Sequence, residues 1–321
     1  MKKLFFIAFF IFPQFVFSQK VNISDFSKDY YAEISPAVEG QILKIFHKQS
    51  KKEVISTDVH LSEYDFEDTK SNISEIPYGH QSIIIFDDFN FDGKKDIAIK
   101  YGNESCYSGP SYEVYLFENN AFEFNNDFSD LAQNYCGFFN INKEKKQLNV
   151  MTKSGCCWHQ YSDFIIKDNS PFLISEVEEQ LHPNGLMFEV SFKEWKNGKY
   201  IESTENLPAL EDQKILLSYQ LSGGKKMVLF MYENELQYFF LNSKGFIELH
   251  YNGTFVYSKK ENSLSFENND AQYKIFNNKI IVKHSGKSTT LSSILKSKKG
   301  NISEVYQEFK EKNIKNLEIV D

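Results

Sequence analysis

Short runs of β-branched and aromatic residues, each bounded by polar turn residues, recur along almost the whole chain. Gln41–His47 (QILKIFH), Glu53–Leu61 (EVISTDVHL), Gln81–Phe86 (QSIIIF), Asp96–Tyr101 (DIAIKY) and Ser111–Phe117 (SYEVYLF) begin the series. Further runs lie at Phe138–Ile141, Gln147–Thr152, Tyr161–Lys167 and Phe172–Val177. Segments of this length suit strands, and alternation of apolar and polar side chains sets one face of each against a core. The 31 Phe and 18 Tyr strengthen the reading, because aromatic rings fit a pleated, half-buried surface. The pattern predicts an all-β protein of the sandwich, barrel or propeller kind. Two short helices are expected within it. One lies near Asp127–Asn134 (DFSDLAQN), with Asp127 or Ser129 as N-cap, and one at Ile302–Lys312 (ISEVYQEFKEK).

The 321 residues are enough for two domains. The polar, proline-containing stretch Ser203–Asp212 (STENLPALED) reads as a linker. It divides a first β domain, residues 19–205, from a second, smaller antiparallel one, residues 206–321. In the second, Ile215–Leu221 and Met227–Tyr232 flank the turn Ser222–Lys226 (SGGKK) as a hairpin. Glu235–Leu241, Phe246–Tyr251, Ser263–Phe266, Ala271–Phe276 and Lys279–His284 continue the strands.

The formal charge is −8, and no arginine occurs; every basic residue apart from histidine is a lysine. Without the bidentate guanidinium fork and with an acidic balance, nucleic-acid binding is excluded as an expectation. Residues 1–18 have the form of a secretory signal. Lys2 and Lys3 precede an apolar run from Leu4 to Phe17, and Val16 and Ser18 supply small residues for cleavage after Ser18. Pro13 and Gln14 interrupt the run, which is short for a membrane anchor, and no later stretch could span a bilayer. The mature chain is therefore expected in the periplasm or outside the cell.

Four cysteines, Cys106, Cys136, Cys156 and Cys157, fit an oxidising compartment and two disulfides. Bonding between the neighbours Cys156 and Cys157 would constrain the backbone, so each is expected to reach back to Cys106 or Cys136. Two such pairings are possible on this evidence. A four-cysteine zinc site is disfavoured because the ligands do not fall in C-x-x-C pairs.

Between the runs QSIIIF and DIAIKY lies DFNFDGKKD, of the form D-x-N-x-D-G-x-x-D. Calcium is a hard cation that takes six to eight oxygen ligands. Asp88, Asn90 and Asp92 can supply side-chain oxygens, Lys94 its backbone carbonyl, and Asp96 a further carboxylate, direct or through water. Gly93 permits the chain reversal. Phe89 and Phe91 should point away into the core. Three carboxylates so close together repel one another unless a cation is present. The position that carries Glu in a helix–loop–helix site is Ile99, and the flanks are strands, so this is a strand–loop–strand site. It resembles the calcium loops of FG-GAP-type propeller blades.

The loop is followed by Cys106-Tyr107-Ser108-Gly109-Pro110-Ser111-Tyr112, and later by Ser154-Gly155-Cys156-Cys157-Trp158-His159. This order of strand, DFNFDGKKD, strand, C-x-SGPSY-x-VY and GCCWH resembles a family of bacterial periplasmic proteins over about residues 35–180. That family has a propeller-like β fold with one calcium loop. It includes immunity proteins that block a secreted, lysozyme-like peptidoglycan hydrolase. The S-G-x-x-Y run at Ser108, Gly109 and Tyr112 is similar to the loop that periplasmic lysozyme inhibitors place in the enzyme's cleft. The resemblance implies a target-binding loop here, its hydroxyl and phenol meeting the cleft's two carboxylates. It also implies a structural calcium ion and a lysozyme-fold hydrolase as partner.

The seven histidines are scattered and fall in no catalytic signature, so no enzymatic activity is expected. A carbohydrate- or surface-binding module of adhesion type is the competing expectation, since the aromatic content would permit sugar stacking.

Overall fold

The computed structural model describes residues 20–67, 69–75, 79–294 and 296–321. The signal segment expected over residues 1–18 lies outside them. Among the described residues, no helix is long and apolar enough to cross a membrane. The protein is all-β, its sheets antiparallel apart from one parallel pair, with two short α-helices among the described residues. The described residues divide into two compact units, those up to 176 with 194–199, and those of 177–193 with 200–321.

The first unit is a succession of meanders, in which strands adjacent in sequence pair with each other. Strands β1 (Val21–Ile23), β2 (Tyr30–Pro36), β3 (Gln41–His47) and β4 (Glu53–Val59) form one four-stranded sheet. Strands β5 (Ile84–Asp87), β6 (Asp96–Ser105), β7 (Gly109–Glu118) and β8 (Ala121–Phe124) form a second. Helix α1 (Asn126–Gln133) follows. A third sheet, of which residues 177–193 and 200–208 fall in the second unit, runs in order through β9 (Asn140–Asn142), β10 (Gln147–Ser154), β11 (Trp158–Lys167), β12 (Ser170–Leu181), β13 (Met187–Lys196) and β14 (Lys199–Pro208).

The second sheet explains why its strands read as nearly continuous apolar runs. Both of its faces are buried. Ile84, Ile97 and Ile99 pack with Leu43, Ile45 and Val59 of the first sheet. On the other face, Ile85, Ala98, Val114 and Leu116 pack with Phe128 and Leu131 of α1 and with Leu148 and Val150 of β10. Helix α1 starts at Asn125, whose side-chain oxygen accepts the Phe128 N–H at 3.1 Å, and not at either expected cap. Ser129, one of those two, instead accepts the Val114 N–H at 2.9 Å and so ties the helix to β7.

In the second unit, β15 (Lys214–Gln220), β16 (Lys226–Tyr232), β17 (Glu235–Leu241) and β18 (Ile247–Tyr251) form a meander. Strands β19 (Phe255–Ser258), β20 (Ser263–Asn268), β21 (Ala271–Ile275), β22 (Lys279–His284) and β23 (Lys287–Ser292) form another. The short β24 (Lys299–Gly300) pairs with β15, helix α2 (Ser303–Glu311) follows, and β25 (Leu317–Val320) runs parallel to β19. Leu217, Leu229 and Tyr238 of the first of these sheets share a core with Tyr257, Leu264, Ile275 and Ile280 of the second, and with Val305 of α2.

The expected linker Ser203–Asp212 is corrected. Residues 203–208 complete β14, the edge strand of its sheet. Pro208 is the last residue of that strand, where a missing N–H is tolerated. The chain crosses between the two units at 176/177 within β12, at 193/194 within β13 and at 199/200 within β14, and not at residue 205.

Candidate functional site

Strands β5 and β6 are antiparallel neighbours with Asp87 opposite Asp96, so residues 88–95 are the connection of a hairpin. The loop is organised by its own side chains. The Asp88 carboxylate accepts the backbone N–H of Asp92 at 3.1 Å and of Gly93 at 2.9 Å. The Asn90 side-chain oxygen accepts the Asp92 N–H at 3.2 Å, and Asp92 accepts the Lys94 N–H at 2.8 Å. Phe91 (φ 59°) and Gly93 (φ 89°) turn the chain through left-handed backbone. A Cβ at Gly93 would meet nothing within 4 Å, so glycine is favoured there by conformation and not by space. Phe89 is fully buried, edge-on to Phe138 and Phe139, and Phe91 packs against the same cluster.

Asp96 is fully buried at the start of β6. Its carboxylate accepts the Phe89 N–H at 2.8 Å and the Phe117 N–H at 2.9 Å, joining the loop to β7. Burial pushes this carboxyl up to about 6; the two N–H groups oppose the shift, and the charges of Asp92 and Asp88 add to it. The Lys94 ammonium lies 3.8 Å from the Asp92 carboxylate.

Partners outside the nine-residue pattern also hold the loop. The Asn90 amide nitrogen donates to Asn169 at 3.0 Å, and Asn169 in turn donates to Glu118. This accounts for an amide rather than a carboxylate at the third position, because a carboxylate could not donate. Asp87 is paired with Lys95 and Lys143. Burial pushes its carboxyl up, but these two lysines outweigh that and hold it below the usual range. Neither Asn169 nor Lys143 carries a local signal, since each reaches the loop only through the fold.

The donors of this loop are all hard oxygens, which suits calcium in kind. Among the described residues, no three His, Cys, Asp or Glu side chains are grouped so as to hold a metal ion. The loop oxygens are directed instead onto the backbone N–H groups of residues 92–94.

The expected target-binding loop is split by the structure. Ser108 is exposed, and Tyr107 keeps 59% of its surface in solvent. Tyr107 (φ 56°) and Ser108 (φ 59°) both occupy left-handed backbone. Gly109 opens β7, and a Cβ there would lie 2.8 Å from Ser105 Oγ and 3.0 Å from the Cys106 carbonyl, so the close approach requires glycine. Tyr112, in contrast, is fully buried. Its ring meets Phe138 edge-on at 5.0 Å, and its hydroxyl donates to the Ser82 carbonyl at 2.7 Å. Burial raises its phenol well above the ordinary tyrosine range. The reading of Tyr112 as a target-binding residue is therefore corrected; it is a core residue that supports the turn.

The cysteine pairing is corrected as well. Cys106 bonds to Cys136, their Cα atoms 4.9 Å apart, and Cys156 bonds to its neighbour Cys157. The Cα atoms of that second pair are 3.7 Å apart, the spacing of neighbours across a trans peptide. The turn between β10 and β11 satisfies both of its sulfurs locally, and none remains to cross-link to Cys106 or Cys136. The two cysteine-bearing turns nevertheless meet, because the Gly155 N–H donates to the Tyr107 hydroxyl. The Lys153 ammonium lies 5.1 Å from the centre of the Tyr107 ring.

No protein-family model matches the chain, and no curated protein matches it in sequence. Among solved structures it is similar to a type IV secretion system related protein of Xanthomonas. The two are 19% identical, the match covers 58% of this chain and 93% of that one, and the TM-score is 0.47. It is also similar to an uncharacterized protein of Listeria monocytogenes, at 9% identity over 88% of this chain and 85% of that one, with a TM-score of 0.25. The Dos1 propeller matches at 10% identity over 84% and 65%, with a TM-score of 0.23. Likeness at this level carries no argument about activity.

Proposed function

We propose that this is an exported, calcium-binding protein that restrains a lysozyme-like peptidoglycan hydrolase through the exposed turn at Tyr107 and Ser108. The observation that supports it most is the Asp88–Asp96 loop. Within one hairpin connection it gathers two carboxylates and an amide oxygen around three consecutive N–H groups, beside a buried carboxylate. Asp88, Asn90, Asp92, Asp96 and the Lys94 carbonyl would hold the ion. Bound calcium would supply the positive charge that offsets the mutual repulsion of the three aspartates.

The turn at Ser108 favours an inhibitory contact. It is exposed, anchored at its base by the Cys106–Cys136 bond, and braced from the side by Gly155. A turn held in this way loses little conformational freedom on entering a cleft. The net charge of −8 suits a basic enzyme, because opposite charges accelerate encounter. The disulfides and the leader-like residues 1–18 support export.

Clearing of cell-wall suspensions by lysozymes of the c, g and i types, with and without the mature protein, tests the reading. We expect at least one enzyme to be slowed, with Ser108→Trp removing the effect. No slowing of any of the three, or full inhibition by the Ser108 variant, would refute it. Glycan binding indifferent to Ser108 would favour a surface-binding module instead.

A further inference from the structure

A disulfide stabilises a fold chiefly by closing a segment of the unfolded chain, and the gain grows with the length enclosed. Cys106–Cys136 spans 30 positions, whereas Cys156–Cys157 spans one. The second bond therefore encloses no loop and does little as a staple. The two also differ in access. Cys136 is 3% exposed and Cys106 half-buried, while Ser154, Gly155 and Cys156 are all exposed at the tip of the β10–β11 hairpin and Cys157 is half-buried. Thiol–disulfide exchange requires a thiolate to reach a sulfur, so access decides which bond reacts first.

The exposed bond is coupled to the neighbouring turn. Gly155 stands next to Cys156, and its N–H is the donor that holds the Tyr107 hydroxyl. Tyr107 and Ser108 both occupy left-handed backbone, which side-chain-bearing residues keep only where the surroundings impose it. The disulfide closes a ring around the Cys156–Cys157 peptide, and the donor, in the Ser154–Gly155 peptide, lies two peptide units upstream in the same tight turn.

We propose that Cys156–Cys157 is a redox site for dithiols, and that its reduction releases Gly155 from Tyr107 and frees the Tyr107–Ser108 turn. A thiolate of the dithiol attacks Cys156 Sγ, on the more exposed of the two residues. The S–S bond breaks, and its electron pair leaves on Cys157 Sγ, which takes up a proton. The second thiol of the reductant then displaces Cys156 from the mixed disulfide and becomes part of the reductant's own disulfide. In total the protein gains two electrons and two protons, and the dithiol loses the same. The reverse reaction with a disulfide oxidant restores the bond. Neither calcium binding nor a hydrolase partner enters this inference.

The test is a titration of the native mature protein with dithiothreitol, quenched by alkylation and mapped by mass spectrometry. The amide exchange of Gly155 is followed by NMR in parallel. We expect Cys156 and Cys157 to be labelled at a dithiothreitol concentration at least fivefold below that which labels Cys106 and Cys136. Gly155 exchange should accelerate at least threefold with that labelling. A Cys156→Ser/Cys157→Ser variant should show the fast exchange without reductant; should it fail to fold, the titration of the natural chain decides alone. A separation below fivefold, or Gly155 exchange unchanged by reduction, would overturn the proposal.

Discussion

At Tyr112 the ring fills the core against Phe138, and the hydroxyl satisfies the carbonyl of Ser82, a residue only 1% exposed. Removing the hydroxyl with Tyr112→Phe leaves that acceptor without its donor and should cost about 1–3 kcal/mol. Urea denaturation would register this as a lower midpoint, with any inhibition by the Ser108 turn retained. Another buried pair has larger consequences. Lys100 on β6 is ion-paired with Asp65, and both side chains are about one-tenth exposed or less. Asp65 also accepts the Ser62 N–H at 2.8 Å. Lys100→Met would leave a buried carboxylate unpaired at a cost of about 3–5 kcal/mol, and Lys100→Met with Asp65→Leu should recover much of it. Equal loss in the single and double variants would contradict this account. At this scale the sequence was legible in part. Tyr112 falls in step with Val114 and Leu116, so period-two alternation along SYEVYLF marks it as inward, and the five-residue pattern at Ser108 masked that signal. The Cys156–Cys157 bond was not legible, because neighbouring cysteines bond only where the local turn, here the one between β10 and β11, accommodates the ring they close.

At the scale of elements, strands with a strong apolar face were readable. β3 has the bounds expected for it, and β15, β16, β17 and β22 lie within a residue of theirs. β14 was not, because seven of its ten residues are exposed and no hydrophobic period distinguishes an edge strand of this kind from a linker. The β17–β18 ladder carries a consequence for pH. His250 stands opposite Phe239, its ring 4.9 Å away, with Nε2 2.8 Å from the buried Gln237. Burial first, and then the like charge of His182, lower its proton affinity. A base whose folded-state value is depressed contributes stability above its unfolded value, near 6.5, and loses it as the pH falls toward the folded-state value. The melting temperature should therefore drop between pH 7 and pH 5 by more in the natural chain than in a His250→Gln variant. Equal drops would count against the assignment.

For the whole molecule, the all-β architecture was legible because turn residues punctuate the sequence throughout, and the two units each bury cores of their own. Their boundary was not legible, since the chain passes between them within β12, β13 and β14 and leaves no gap in composition. A divalent cation held at the Asp88–Asp96 loop of a chain with a net charge of −8 would stabilise the folded form by mass action. The protein's proposed role rests on that ion. Isothermal titration of calcium into chelator-stripped protein should give one site per chain and raise the unfolding midpoint, and Asp88→Asn with Asp92→Asn should abolish both. An absence of calcium-dependent heat together with an unchanged midpoint would contradict it.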